Sequence, residues 1–451
     1  MSLYTRLVSG VLFPLHEGLK RHDSVRIRRA MERSQWWSPE QLQALQWQRL
    51  RALLQEAERV PYYLERFAQA GLRWQDLKSL ADLPRLPLLT KADIRAHSDA
   101  LRHPEARGLA RFNTGGSSGE PLVFFIGKER VSHDVAAKWR ATRWWGVDIG
   151  DRELVVWGSP IELGRQDRIK AVRDKILRTA LLPAFEMSEA RLDGFVAEIR
   201  RQRPAMLFGY PSALSLIARH AMARGERLND LGVKVVFVTS ERLYDDQRKD
   251  IEQGFGAPVA NGYGGRDAGF IAHQCPSGGM HLTAEDIIVE TVDANGQPVP
   301  QGEAGEIVVT HLATRDYPFI RYRTGDVAVL DHHSRCACGR GLPMLKEIQG
   351  RTTDFVVTSD GTVMHGLALI YIIRDLPGVR RFKIIQHSLL DTEVQLVLEP
   401  GFDRRAFQDI ERGFKRRLGA AVAVRIQELD DIPAEASGKF RYVVSKVNPR
   451  A

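Results

Sequence analysis

Residues 206–239, MLFGYPSALSLIARHAMARGERLNDLGVKVVFVT, decide the fold class. Met206–Phe208 is a short apolar run, 211–224 has helical periodicity, and Val233–Thr239 is a second apolar run. Short buried strands joined through a helix are the signature of a parallel βαβ unit. The same alternation extends outward. Leu154–Trp157 reads as a strand and 188–201 as a helix on one side, and 244–254 reads as a helix on the other. Strands alternating with helices build a layered α/β domain. From 280 to 330 the pattern becomes β-rich with turns at Asn295-Gly296 and Gly302. The last segment, from about 354, reads as strand–turn–strand, helix 366–376, strands 381–386 and 393–398, helix 403–418 and strand 421–427. A helix is also expected over 40–72, interrupted at Val60-Pro61. The expected architecture is a large multi-layered α/β N-terminal domain with a β-rich subdomain, residues 1–352. A small α+β C-terminal domain, residues 353–451, follows it.

The chain has 451 residues, 43% of them hydrophobic and 27% charged, which excludes wholesale disorder and argues for more than one core. Lys and Arg exceed Asp and Glu by 65 to 56, a net charge of +9 that is spread thinly. It suits anionic ligands and lacks the dense basic stripe of a nucleic-acid binder. No apolar run reaches the ~20 residues that span a bilayer. The N-terminus places Leu3, Leu7, Val8, Val11, Leu12 and Leu15 at helical spacing between Arg6 and Lys20-Arg21. A first amphipathic helix packed on the protein is favoured over an interfacial membrane helix. It lacks the long apolar core and cleavage site of a signal peptide, so the cytoplasm is the expected compartment.

Thr114-Gly115-Gly116-Ser117-Ser118-Gly119-Glu120-Pro121 is the densest chemical signal. Glycines admit backbone N–H groups close to an anion, and hydroxyls add donors. The Gly-Lys-Ser/Thr ending of a Walker A loop is missing, and by itself the run also reads as a flexible linker. Four further elements follow it: Asn261-Gly262-Tyr263-Gly264-Gly265-Arg266-Asp267, Tyr322-Arg323-Thr324-Gly325-Asp326, Gly350-Arg351-Thr352-Thr353-Asp354 and Ser437-Gly438-Lys439. In this order the five resemble the phosphate loop, the Tyr-Gly-x-x-Glu, Tyr-Arg-Thr-Gly-Asp and hinge elements, and the final lysine of the adenylate-forming enzymes. Val60-Pro61-Tyr62-Tyr63, Phe208-Gly209-Tyr210-Pro211-Ser212 and Pro318–Arg323 resemble the phenylacetate–CoA ligase-like branch, which includes capsule- and exopolysaccharide-associated relatives.

The resemblance implies activation of a small carboxylic acid by ATP to an acyl adenylate, followed by transfer to coenzyme A. Transfer to an amine, or a non-catalytic binding protein of the same fold, are the alternatives. It also implies roles. Thr114, Gly115, Gly116, Ser117, Ser118 and Gly119 hold phosphates. Asp267 holds Mg2+ where the family has a Glu. Asp326 accepts the ribose hydroxyls, and Asn261, Gly262, Tyr263 and Gly264 line the adenine. Ser240, Glu241 and Arg351 complete the nucleotide site. Lys439 stabilises the charge developing at the α-phosphate, and a small mobile domain turns about Thr353. The lysine common after the loop proline is replaced by Leu122. Trp144, Phe208 and Tyr210 are expected to wall an acyl pocket suited to an aryl or apolar acid. The oligomeric state stays open, a dimer included.

The chain has three cysteines, Cys275, Cys336 and Cys338, too few for a disulfide framework. With His281 they form a Cys3His set, the make-up of a closed tetrahedral zinc site, flanked by glycines and a proline that permit tight turns. Three unlinked thiols are the competing reading. The resemblance supports structural zinc.

Overall fold

A computed structural model describes residues 2–113, 122–157, 168–184, 189–331, 334–351, 355–360, 363–365, 367–374, 376–433 and 441–447. The chain divides into two compact units, Met1–Gln349 and Gly350–Ala451. The first unit opens with helices Leu3–Leu7, Phe13–Leu19, Ser24–Ser34, Pro39–Ala57 and Pro61–Gln69. The interruption at Val60-Pro61 falls where the proline predicts it: Val60 is extended and Pro61 occupies the first turn of the next helix.

The strands β1 (Ala110–Asn113) and β2 (Val123–Ile126) form an antiparallel hairpin with Asn113 opposite Val123. The run Thr114–Pro121, and with it the six expected phosphate-loop residues, lies between them and outside the described residues. Leu122, in place of the common lysine, is buried in the core. The helix Lys128–Trp144 leads to β3 (Glu153–Trp157), β4 (Thr179–Pro183), β5 (Met206–Gly209), β6 (Val235–Val238) and β7 (Val259–Gly265). These five are mutually parallel in the order β4-β3-β5-β6-β7. Helices Arg168–Leu177, Glu189–Gln202, Pro211–Ala223 and Asp245–Phe255 make the crossovers, as the alternation over 206–254 predicts.

Beyond β7 the sheet turns antiparallel. It continues through β8 (Gly269–Gln274), β9 (Met280–Leu282), β10 (Ile287–Val292), β11 (Ala304–His311), β12 (Phe319–Asp331) and β13 (Met344–Arg351), in the order β7-β8-β9-β13-β12-β11-β10. One sheet of 11 strands therefore carries both the α/β half and the β-rich half. Two cores follow from this. One gathers Leu154, Val156, Leu207, Ile217, Val236 and Phe255 of the crossover half. The other packs Leu50, Leu54, Tyr63 and Phe67 of the N-terminal helices on Ile307, Val309, Phe319 and Tyr322.

The second unit is built on a four-stranded sheet. After the pair β14 (Phe355–Val357) and β15 (Val363–His365) come β16 (Val379–Ser388), β17 (Asp391–Leu398), β18 (Ala423–Glu428) and β19 (Val443–Ser445). β16 and β17 form the central hairpin, flanked by β18 and β19 in parallel. Ile373 and Leu369 of one helix and Ile410 and Phe414 of another cover Ile384, Val394 and Leu396. Among the described residues no helix is long and apolar enough to cross a membrane.

Candidate active site and a thiol–imidazole cluster

Open α/β sheets bind ligands beyond the carboxyl ends of their parallel strands. Here those ends deliver Trp157 from β3, Phe208–Tyr210 from β5, Thr239–Glu241 from β6 and Asn261–Asp267 from β7. Close approach at this edge needs glycine: a Cβ on Gly209 would lie 2.2 Å from the Val156 carbonyl oxygen, and one on Gly264 2.2 Å from that of Gly269. Ser240 takes a positive φ of 70°, a conformation costly for a non-glycine residue and typical of functional turns. Thr239 N–H donates to the Gly209 carbonyl, and Ser212 N–H donates to the Glu241 carboxylate at 3.3 Å.

The motif residues meet across the sheet. The Tyr263 hydroxyl donates to Asp326 Oδ2 at 2.9 Å. Tyr322, on the same strand as Asp326, donates its hydroxyl to Asp267 Oδ2 at 2.5 Å, while Asp267 Oδ1 lies over Gly265, where a Cβ would be 2.7 Å away. Both carboxylates are half-buried. Arg266 reaches the Asn113 carbonyl at 3.4 Å, tying the β7 end to the base of the glycine loop. Arg130, buried under this turn, donates to the Arg266 carbonyl at 2.8 Å. Asn261 is fixed by its backbone N–H on Gln274 Oε1 at 3.0 Å. A loop base, two oriented carboxylates and an aromatic ring thus share one edge, a donor set that fits a nucleotide and a divalent cation.

Arg321 anchors the Tyr322–Asp326 strand from below. It has φ 48°, and its buried guanidinium donates to the carbonyls of Pro84, Leu86 and Gly296 and to Glu290. Those bonds hold a backbone that would otherwise relax.

Of the expected acyl-pocket residues, Phe208 and Tyr210 come together and Trp144 does not join them. Trp157 stacks on Tyr210 at 4.4 Å and on Phe208 at 6.1 Å, and Phe237 stacks on Phe208 at 5.8 Å. Trp144 instead stands edge-on to His281 at 5.8 Å and donates its indole N–H to Gln35. Its neighbour Trp145 packs against the cluster that holds Phe208 and Phe237. Adjacent helical positions point about 100° apart, so the choice between Trp144 and Trp145 required the helix orientation. Trp157 had a visible signal, its place as the last residue of an apolar strand. Tyr322, Arg266 and Gln274 make contacts between segments distant in the chain, which the sequence does not display. Lys439 and Thr353 lie outside the described residues, as does the side chain of Arg351, which ends β13.

Cys275, His281, Cys336 and Cys338 converge, their donor atoms all within 4.8 Å of one another. Cys275 Sγ is 3.6 Å from Cys336 Sγ, and Cys338 Sγ is 3.2 Å from His281 Nε2. Two thiolates on one tetrahedral zinc at ~2.3 Å stand about 3.8 Å apart, so the spacing fits. The turns are alike: Gly278 N–H donates to the Cys275 carbonyl and Gly339 N–H to that of Cys336, with both glycines at positive φ. A Cβ on Gly279 would lie 2.6 Å from Cys336 Sγ. His281 Nδ1 faces the Leu342 carbonyl at 3.3 Å, which leaves Nε2 with its lone pair toward the thiols. Burial pushes the Cys275 thiol up to about 12 and the His281 imidazole down to about 4. Burial also raises Cys338, but hydrogen bonds from Arg340 outweigh it and bring that thiol below its ordinary value. The neighbouring residue Gln274 is the one that fixes Asn261, so the cluster adjoins the β7 edge through a single peptide unit.

A solved structure of 2-hydroxyisobutyryl-CoA ligase in the postadenylation state superimposes with a TM-score of 0.71 at 22% identity, covering 90% of each chain. The chain has the adenylate-forming ligase fold. The CapK C-terminal domain family matches residues 356–446 of this chain. Protein CapK of Staphylococcus aureus is 24% identical over 372 residues, 82% of this chain and 81% of CapK. The phenylacetate–coenzyme A ligase of Thermus thermophilus is 25% identical over 438 residues, 90% of this chain and 96% of that enzyme. The resemblance drawn from the five motifs, including its phenylacetate–CoA ligase-like branch, is therefore to the right group.

Proposed function

We propose that this chain is an AMP-forming carboxylate–CoA ligase. The carboxylate of a small acid attacks the α-phosphate of ATP, pyrophosphate leaves, and the thiol of coenzyme A then takes the acyl group and releases AMP. The observation that carries this reading is the joining of Tyr263 to Asp326 and of Tyr322 to Asp267 at one edge, tied by Arg266 to Asn113, the residue before the glycine run. The chain's homology to phenylacetate–coenzyme A ligases along most of its length supports the choice of reaction.

In this proposal Asp326, oriented by the Tyr263 hydroxyl, accepts both ribose hydroxyls, and the Tyr263 ring lies against the adenine. Residues 114–119 supply donors to the phosphates. Asp267 would hold Mg2+, which when bound neutralises phosphate charge; Tyr322 keeps that carboxylate in place. The aromatic stack of Trp157, Phe208 and Tyr210 supports an aryl or apolar acid. Lys439 would stabilise charge in the adenylation transition state. The Cys3His cluster would hold a structural zinc that braces Gln274 and hence Asn261, with no part in bond making.

Acid-dependent ATP–pyrophosphate exchange across a panel of carboxylic acids, followed by AMP release on adding coenzyme A, tests the reading. Exchange with at least one acid is expected. Lys439→Ala should abolish exchange and leave ATP binding intact. A chain that neither binds ATP nor exchanges pyrophosphate with any acid is not a ligase.

A further inference from the structure

The N-terminal helices bury one face and leave another bare. Thr5, Val8, Phe13 and Glu17 face the protein. Thr5 Oγ1 donates to Asp151 at 2.7 Å, and Val8 packs so closely on Gly150 that a Cβ there would be 2.7 Å away. Phe13 sets its ring edge-on to Trp139, and Tyr4 donates to the Ile176 carbonyl. The segment is therefore seated on the body of the protein.

Its outer row is Leu3, Leu7, Val11, Leu15 and Leu19, which are 84%, 49%, 47%, 61% and 87% exposed. Residues four apart on an α-helix drift by about 40° per step, so such a row would wind around the axis. The turn Val8–Leu12 is a π-helix, wider than an α-helix, and it takes back part of that drift. Pro14, with no N–H to give, follows this turn. The five aliphatic side chains consequently form one continuous ridge. On the helix Arg168–Leu177, which Tyr4 reaches at the Ile176 carbonyl, Val172 and Ile176 are also exposed, at 60% and 40%.

Cations border the ridge. Arg6, Lys20, Arg21 and Lys175 are exposed, and Arg178 lies over the Tyr4 ring. Among the described residues the acidic groups nearby are engaged: Glu17 is buried against Ser24, His16 and His22, Asp23 is paired with Arg26, and Asp174 with Arg173. We infer that this ridge docks on an anionic phospholipid surface, with the leucines in the headgroup–acyl boundary and the arginines and lysines on lipid phosphates. A second copy of the chain is a poorer occupant. An isologous contact sets the patch against itself, and cations stand at both ends, so parallel or antiparallel pairing opposes positive charge to positive charge. The inference stands independently of the ligase reading.

Cosedimentation of the full chain with vesicles tests it, using phosphatidylcholine alone against an equal mixture with phosphatidylglycerol. Binding to the anionic vesicles is expected to exceed binding to the neutral ones by about tenfold or more. The double change Leu7→Glu and Leu15→Glu should reduce it by about tenfold or more, with the circular dichroism spectrum unchanged, because both side chains are exposed. The milder pair Leu7→Gln and Leu15→Gln should give the same direction. No binding to anionic vesicles, or binding unaffected by these changes, overturns the inference. So does a dimer in light scattering that the double change converts to a monomer, since the ridge would then be a subunit interface.

Discussion

Removing zinc from the Cys275, His281, Cys336, Cys338 cluster should lower the melting temperature of the first unit by about 6 °C. The figure follows from linkage. A ligand a thousandfold above its dissociation constant stabilises the folded state by about 4.1 kcal/mol. At ~2.1 cal/mol/K per residue, a unit of 349 residues unfolds with an entropy of about 0.73 kcal/mol/K. The quotient is the expected shift. The cluster is preassembled on β8, β9 and the turn before β13, so its loss destabilises a formed sheet and does not unfold it outright. Purified chain should carry zinc near one equivalent by elemental analysis. Chelator should remove it and lower the melting temperature, and added zinc should restore it. Cys336→Ser should lose metal and melt like the chelated protein. Because Gln274 adjoins Cys275 and fixes Asn261, the metal-free chain should also bind ATP more weakly. A chain purified without metal refutes the assignment, as does one whose melting is unmoved after the metal has demonstrably gone.

Tyr263→Phe removes the donor to Asp326 and should weaken ATP binding by about tenfold in isothermal titration, the worth of a hydrogen bond to a charged group, with folding unchanged. Arg321→Ala strands Glu290 and three carbonyls beneath the Tyr322–Asp326 strand and should cost about 3–5 kcal/mol in denaturant unfolding; Arg321→Lys should recover only part. Asp286 is pushed up by burial, but the paired His133 and nearby Arg49 outweigh this and bring it down to about 2. Its contribution to stability is therefore present above its unfolded value of 3.8 and lost as pH falls toward 2. His133 is lowered by burial and raised more by Asp286, so its contribution is full below 6.5 and fades as pH rises through its raised value. Asp286→Asn should accordingly cost most between these limits, and its deficit should shrink above neutrality in melting curves taken across pH.

Much of the fold is visible in one dimension because its signals are local. The apolar runs at 206–208 and 233–239 and the helical stretch between them match β5, β6 and the helix Pro211–Ala223, with bounds shifted by two residues at most. The second unit reads equally well, since each of its helices and long strands alternates cleanly. Short strands escape: β19 has three residues and is held by its partner β16, not by its own pattern. The helix Lys128–Trp144 was also not evident. It buries Arg130, His133 and Arg140 along with its alanines, so its apolar stripe is broken by charges that the fold pairs internally.

The same division runs through the site. Asp326 and the Cys-x-Cys pair stand out by residue type and spacing within one segment. Residues that act by holding another one in place do so across strands. Tyr322 illustrates this: it lies in a motif read for its aspartate, yet its own hydroxyl belongs to Asp267, 55 residues earlier. That contact bears on the shortening from the family's Glu to Asp267. A shorter carboxylate reaches less far toward a cation, and a carboxylate bound by Tyr322 at 2.5 Å has less freedom to compensate by moving. Substituting Glu at 267 would then do two things at once: extend the carboxylate toward the metal and crowd the Tyr322 hydroxyl. If metal reach limits the reaction, Asp267→Glu together with Tyr322→Phe should outperform Asp267→Glu alone in pyrophosphate exchange at low Mg2+. If the Tyr322 bond is what positions the carboxylate, the double variant should be the worse of the two.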